Sequence, residues 1–378
     1  MKIVQIITRM DEYGGAQNHV AQLANQLLNE DNDVTIVTGS YNATLWKSID
    51  KKIDIFVIPV LIRSIHPFKD LQAFYRMRQI LKVLNPDVVA IHSTKAGVVG
   101  RIAAITLGQK TVFTAHGWSF TEGVSPPKRF FYKIIEGILA KWTTKIIAVS
   151  EYDTKLAIKE GVVKQSKIVT IHNGILEKKM TNNTEFSRSI IPNIIMVARF
   201  ADPKRQDLLI GALDKIKTHT WNAIFVGEGV NRQIAENLVE TYSLGERVKF
   251  LDSTVDVEAI LNRGTVFVLL SNYEGLPISI LEAMRVGLPV IASDVGGVKE
   301  IVHHNHNGYL VHNDNMNSIT DAICNLLQNK ELAVNMGKYG QRLFYESFTF
   351  QRMYAETLEV YYDALGQAKG KVQSHAKV

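Results

Sequence analysis

The stretch Val266-Phe267-Val268-Leu269-Leu270-Ser271-Asn272-Tyr273-Glu274-Gly275-Leu276-Pro277-Ile278-Ser279-Ile280-Leu281-Glu282-Ala283 reads as a strand, a turn and a helix in succession. Residues 266–270 are an unbroken apolar run of strand length, Gly275 and Pro277 punctuate a turn, and residues 278–286 take up helical spacing with Pro277 near the first turn. Gly287, with Pro289 two residues on, stops that helix, and Val290-Ile291-Ala292-Ser293 begins the next strand. The result is a β-loop-α-β unit, the building block of an open parallel sheet. Ligands of such sheets sit beyond the carboxyl ends of the strands, so Glu274 falls at the ligand position. The helix that follows offers free N–H groups to an anion, and a phosphate is the natural guest.

Glu274 and Glu282 stand eight residues apart across that junction. As the acid and base of a sugar hydrolase they would have to lie roughly 5–9.5 Å apart, whereas eight helical residues span about 12 Å. The two carboxylates therefore have separate tasks; the plainer alternative is a loop glutamate and a solvated helix glutamate.

Outward from this unit, apolar runs at residues 194–197, 223–226, 248–251 and 289–292 alternate with helical patterns, and a short strand is expected at 308–311. The N-terminal half alternates in the same way, with strands expected at 3–7, 34–38, 55–59, 88–92, 111–115 and 146–149. Between the halves, residues 173–193 lose periodicity and include Glu177-Lys178-Lys179 and Thr181-Asn182-Asn183-Thr184, the signature of a linker. Two Rossmann-like α/β domains are expected, 1–172 and 194–349. A helix at 350–366 and a polar, frayed tail at 367–378 follow.

A chain of 378 residues is too long for one ordinary core and suits two. The single cysteine, Cys324, lies in an apolar helical pattern and excludes both a disulfide framework and a cysteine-rich metal site, which fits a reducing, cytoplasmic compartment. The opening run Lys2-Ile3-Val4-Gln5-Ile6-Ile7 is too short for a signal peptide, and no apolar stretch approaches a membrane span. Charge is uneven: residues 1–172 carry 22 Lys+Arg against 14 Asp+Glu, and the remainder 21 against 23. The basic half is expected to face something anionic. Within it, residues 67–84 set Lys69, Arg76, Arg78 and Lys82 beside Phe68, Phe74 and Tyr75, and residues 128–133 with Lys141-Trp142 repeat the mixture. Such faces suit an anionic membrane surface, or else they are the solvated sides of core helices. No nucleic-acid recognition module is present.

Other strand ends carry polar motifs. Gly14-Gly15-Ala16 follows the first strand, where paired glycines let the backbone approach a phosphate, or simply make a tight turn; the pattern is not that of a nicotinamide dinucleotide site. His116, in Thr114-Ala115-His116-Gly117-Trp118, stands on a strand-to-loop edge. Arg199 and Lys204 lie in the loop after the first strand of the second domain, where two cations neutralise a diphosphate or decorate a basic turn. Gly227 sits in the turn Val226-Gly227-Glu228-Gly229, and Asp294-Val295-Gly296-Gly297 and Ile91-His92-Ser93-Thr94 end further strands. Asp31-Asn32-Asp33 matches an Asp-x-Asp metal motif but lies in a polar turn without supporting context. No His/Asp cluster suggests a catalytic metal, so cationic side chains and helix termini are expected to carry the phosphate charge.

Glu274-Gly275-Leu276-Pro277 with Glu282-Ala283 resembles the signature of the retaining glycosyltransferases of family 4, of bacterial surface-polysaccharide type, and the motifs from Gly14 to Glu300 follow in the matching order. The resemblance implies the GT-B fold, two Rossmann-like domains facing across a cleft, with a terminal helix crossing back to the first. It implies that Glu274 contacts the transferred sugar together with His116. Arg199, Lys204 and the glycine loop Gly14-Gly15 take the donor diphosphate. Glu282 holds the ribose, Gly227 lies beside the nucleotide, and Gly275, Leu276 and Pro277 supply the donor loop. Arg205 departs from the glycine usual after that lysine, which puts the loop geometry in question. The implied reaction moves a hexose or N-acetylhexosamine from a nucleoside diphosphate sugar, UDP foremost, to a glycan or polyprenyl-diphosphate-linked glycan. It would take place at the cytoplasmic face of the plasma membrane, without a cofactor or a catalytic metal. A GT-B sugar-nucleotide epimerase and a catalytically silent sugar-nucleotide-binding subunit are the alternatives.

Overall fold

The computed structural model describes residues 1–122, 124–177, 191–253 and 256–367. The N-terminal elements are β1 (Lys2–Ile7), α1 (Gly15–Asn29), β2 (Asp33–Thr38), β3 (Asp54–Val57), α2 (Pro67–Leu84), β4 (Val88–His92), α3 (Thr94–Ile105), β5 (Lys110–Ala115), α4 (Pro126–Trp142), β6 (Lys145–Ala148), α5 (Glu151–Lys159) and β7 (Ile168–Thr170). Their strands form one parallel sheet of order β3-β2-β1-β4-β5-β6-β7. The second set comprises β8 (Asn193–Val197), α6 (Gln206–Lys215), β9 (Asn222–Val226), α7 (Arg232–Thr241), β10 (Val248–Leu251), α8 (Val257–Leu261), β11 (Val266–Leu269), α9 (Ile278–Arg285), β12 (Val290–Ser293), β13 (Gly308–Val311), α10 (Met316–Gln328), α11 (Lys330–Ser347) and α12 (Phe350–Ala364). Its parallel sheet has the order β10-β9-β8-β11-β12-β13.

Both sheets are covered on both faces, so strands such as Val88–His92 and Val266–Leu269 are buried at every residue and read as continuous apolar runs. The helices are set by local chemistry. Pro67 fixes the first turn of α2 and Asn85, left-handed at φ 45°, ends it. Ser150 caps α5 by accepting the Asp153 N–H at 3.1 Å, and Asn315 caps α10 by accepting that of Ser318, also at 3.1 Å.

The chain divides into two units, one of Met1–His172 with the residues from Met353 onward, the other of Asn173–Arg352. In the first, α12 is tied down near its start by the Tyr354 hydroxyl, which donates to Glu30 at 2.7 Å, and at its end by Lys145 paired with Asp363 at 2.6 Å. The core of this unit includes a buried charge pair. Arg101 on α3 reaches Glu136 on α4 at 2.6 Å, and its guanidinium stacks 4.1 Å from the Phe113 ring centroid.

The expected linker needs correction at its edges. Asn173 opens the second unit, Ile175 is hydrogen-bonded to Phe348 and Phe350, and Asn193 already belongs to β8. Residues 178–190 of the expected linker and 368–378 of the expected tail lie outside the described residues. Strand β7 was not foreseen, because Ile168-Val169-Thr170 is too short to show a period. Asp31 takes φ 60° in the turn before β2, as read.

Candidate active site

In the second unit the strand order reverses between β8 and β11, and the loops leaving these two strands carry the residues singled out above. The loops are stitched together by the backbone. The N–H of Arg205 donates to the carbonyl of Leu270 and that of Asn272 to Pro203, each at 2.9 Å. Lys204 lies opposite Ser271 in an antiparallel bridge. This stitching brings the Lys204 ammonium into a direct ion pair with the Glu274 carboxylate, seventy residues away in sequence. Both side chains are mostly buried, with 17% and 10% of their surface exposed, so the attraction is only partly screened. Arg199 lies on the same loop as Lys204 and is exposed.

Arg205 gives a physical account of its departure from glycine. Its φ of −119° needs no glycine. Its guanidinium grips Asp207 through two nitrogens at 2.7–3.1 Å and reaches Asn272 at 3.2 Å, adding a side-chain tie between the same two loops.

Glu274 is also held from behind by the turn after β12. Gly296 adopts φ 55°, and a Cβ there would fall 1.8 Å from the Glu274 carbonyl oxygen, so only glycine lets this turn pass under the Glu274 loop. The ends of β11 and β12 are joined by side chains. The Ser293 hydroxyl accepts the Ser271 N–H at 2.9 Å and donates to Asn313, whose amide returns to the Ser271 carbonyl at 2.9 Å. Motif reading missed this trio; a polar residue closing an apolar strand was its only signal. Gly227, at φ 144°, packs where a Cβ would be 2.2 Å from the Ala198 carbonyl oxygen, next to Arg199. Leu276 is buried, and its carbonyl accepts from the Asn173 amide at 2.8 Å. Pro277 precedes the first turn of α9, where Glu282 is half-buried on the helix.

In the first unit the order reverses between β1 and β4. Gly14 is extended and Gly15 is the first residue of α1. Ser93 joins the ends of β1 and β4, its hydroxyl lying 2.7 Å from that of Thr8. Lys95, in the motif after β4, is engaged by Asp70 of α2.

His116 directly follows β5, as expected, but it does not stand alone. His19 of α1 and His92 of β4 pack against it, with His116 Nε2 at 3.2 Å from His92 Nδ1 and 4.9 Å between the ring centroids of His19 and His116. Burial holds the His19 imidazolium pKa down to about 4, and burial reinforced by the neighbouring imidazoles holds His92 and His116 well below the ordinary histidine range. All three are therefore neutral at pH 7. The expectation of no metal-suggesting His/Asp cluster needs correction here: residues 19, 92 and 116 are far apart in sequence and meet because β4 and β5 are neighbours in the sheet and α1 leads off β1, the neighbour of β4 on its other side.

Comparison with known proteins now bears on these sites. The family model described as Glycosyltransferase Family 4 matches residues 13–177, and that described as Glycosyl transferases group 1 matches residues 184–343. The O-antigen biosynthesis glycosyltransferase WbnH of Escherichia coli is 31% identical over 315 residues, covering 83% of this chain and 87% of that protein. An Escherichia coli UDP-Gal:alpha-D-GlcNAc-diphosphoundecaprenol alpha-1,3-galactosyltransferase is 29% identical over 364 residues, 92% of this chain and 94% of its own. Among solved structures, a sucrose-phosphate synthase from Thermosynechococcus elongatus superposes with TM-score 0.83 at 20% identity, over 97% of this chain and 99% of its own. WaaG, a glycosyltransferase of lipopolysaccharide biosynthesis, superposes with TM-score 0.78 at 15% identity, over 95% and 99%. These two likenesses support the α/β class with two Rossmann-like domains.

Proposed function

The chain belongs to glycosyltransferase family 4, and from that premise we propose that it moves a hexose or N-acetylhexosamine from a UDP-sugar to a hydroxyl of a polyprenyl-diphosphate-linked glycan, with retention at the anomeric carbon. The observation that carries the reading is the Lys204–Glu274 pair, held between the two loops that flank the switch point of the second unit. A donor diphosphate arriving there replaces the carboxylate as the partner of Lys204, and Arg199 adds a second cation from the same loop. Glu274, released from its ion pair, turns to the hydroxyls of the transferred sugar, and Glu282 holds the ribose. Gly227 lets the backbone come close to the nucleotide.

The chemistry asked of these residues is mainly electrostatic. The bond between the anomeric carbon and the diphosphate oxygen breaks, and Lys204 and Arg199 stabilise the charge that builds on the leaving group. The acceptor hydroxyl attacks on the face the diphosphate is leaving, and its proton passes to a donor phosphate oxygen. Two side-chain cations at the diphosphate take the part a divalent metal plays elsewhere. In the first unit, His116 contacts the sugar and the Gly14-Gly15 loop the phosphate.

The lipid-linked acceptor and the UDP donor are supported by the name of the 29%-identical galactosyltransferase, and a role in polysaccharide assembly by that of the O-antigen enzyme. A peripheral position on an anionic membrane is supported by α4, whose Phe130, Ile134, Ile138 and Trp142 recur every fourth residue and are all exposed. Among the described residues, no helix is long and apolar enough to cross a membrane.

The experiment is a panel of nucleotide sugars offered with a polyprenyl-diphosphate N-acetylhexosamine, the product being read by mass and by the anomeric proton coupling. One donor is expected to yield an elongated lipid whose new linkage keeps the donor's configuration. An inverted linkage overturns retention. Conversion of the donor sugar without acceptor assigns an epimerase, and UDP binding without release assigns a silent subunit.

A further inference from the structure

Three histidines meet at the topological switch point of the first unit, the position where open parallel sheets take their ligands. His19 comes from α1, His92 ends β4 and His116 follows β5, so each is fixed by a different element. One nitrogen from each ring lies within 4.8 Å of the others, and this is the one such group of potential metal ligands among the described residues. His19 and His92 are buried, yet neither nitrogen of His19, nor Nε2 of His92, has a hydrogen-bond partner. A buried polar atom left unpaired has lost its hydration without gaining a partner. A species that accepts imidazole lone pairs, placed where His92 Nδ1 faces His116 Nε2, would also give one buried nitrogen of His19 a partner.

We propose that His19, His92 and His116 form a binding site for one divalent transition-metal ion of the zinc class, with a fourth coordination position open to water or a ligand. The donor set argues for the class: three imidazoles with no carboxylate or thiolate suit zinc, copper or nickel and not the oxygen-seeking magnesium or calcium. The spacing argues for the geometry. Tetrahedral zinc–nitrogen bonds of about 2.0–2.1 Å put ligand nitrogens roughly 3.3 Å apart, and His92 Nδ1 and His116 Nε2 already stand at 3.2 Å. The ion would replace the hydrogen bond between these two atoms, and a ring rotation of His19 brings in the third ligand.

The site belongs to the unit that does not carry Arg199, Lys204 or Glu274. On the reading under Proposed function, in which His116 contacts the donor sugar, a bound ion occupies that ring. Zinc then slows transfer while leaving UDP binding unchanged. The metal site itself does not depend on that reading.

The test uses the untagged full-length chain, stripped with EDTA and titrated with Co2+, whose tetrahedral complexes absorb in the visible, followed by displacement with Zn2+. One equivalent is expected to bind with a tetrahedral spectrum. His19→Phe is expected to weaken binding by more than about 100-fold, beyond the 10–100-fold typical of losing an outer-shell partner. His116→Ala, at a half-buried position, serves the same purpose should His19→Phe fail to fold. His304→Ala controls for the run His303-His304-Asn305-His306 on the second unit and is expected to change nothing. The proposal is overturned if the wild type takes up no stoichiometric Co2+ or Zn2+, or if binding survives in both cluster variants. It is equally overturned if binding is lost in His304→Ala. Metal bound by a chain that transfers no sugar would count against the proposed function alone, and transfer by a chain that binds no metal would count against the site alone.

Discussion

Lys204 and Glu274 neutralise each other across two loops, and on the proposed function the resting pair competes with the donor for a binding cation. Replacing the carboxylate by its neutral isostere, Glu274→Gln, separates the two tasks. UDP is expected to bind about 3- to 10-fold more tightly, the worth of a partly exposed ion pair of roughly 0.6–1.4 kcal/mol. Turnover is expected to fall by about 100-fold or more as the sugar loses its orienting charge. Calorimetry of UDP and initial rates read the two effects, and unchanged UDP affinity would show that the ion pair does not guard the site. Gly296 supports the same loop through backbone shape alone. Gly296→Ala forces a Cβ against the Glu274 carbonyl at an unfavourable φ, and a loss of about 2–4 kcal/mol in urea unfolding is expected; an unchanged midpoint would remove the glycine from the argument. At this scale the sequence displayed the types of the site residues but not their partnerships. Arg199, Lys204, Glu274 and His116 stood out because polar residues follow apolar strands. That Lys204 would touch Glu274, or that His19 would join His116, depends on strand order, which no local window contains.

Helix α4 shows how an element can be legible on one side and hidden on the other. Its aromatics and lysines were plain in the linear pattern, which did not single out Glu136. In the fold Glu136 is buried against Arg101 of α3, which also bonds the Gly97 carbonyl at 2.6 Å and stacks on Phe113. Periodicity could not reveal this, because a buried charge pair places a polar residue on the apolar face. Arg101→Met alone is expected to destabilise the first unit by about 3–5 kcal/mol, since it strands a buried carboxylate, and Arg101→Met with Glu136→Leu is expected to recover most of that loss. Urea unfolding of the two single variants and the double variant measures the cycle; additive losses would mean that packing, not charge, carries the cost. The central strands were legible almost to the residue because both sheets are parallel and these strands are buried on both faces, as Val88–His92 and Val266–Leu269 show. Only the three-residue β7 fell below what a period can reveal.

Over the whole molecule, the division into two α/β units was readable from the two runs of alternating strands and helices, and from the failure of that alternation after His172. The return of the chain from Met353 into the first unit was expected from the family resemblance rather than from the residues of α12. The uneven charge gains meaning from exposure. Phe68, Leu71 and Tyr75 on α2 and the stripe on α4 stand in solvent beside the lysines of the basic first unit. Binding to vesicles containing anionic lipid is expected at low salt, to weaken as salt screens the contribution of about 1 kcal/mol per basic residue, and to drop at least 10-fold on Phe130→Ser with Trp142→Ser. Absence of binding at low salt would leave these faces as solvated helix sides. The central claim, that the loops of the second unit hold a sugar nucleotide for transfer, is tested most directly by UDP release from the full-length enzyme with and without a lipid-linked acceptor. The account predicts release that requires both the matching UDP-sugar and the acceptor, and that falls by about 100-fold or more in Glu274→Ala. Release that is indifferent to Glu274→Ala, or a chain to which no sugar nucleotide binds, would contradict it.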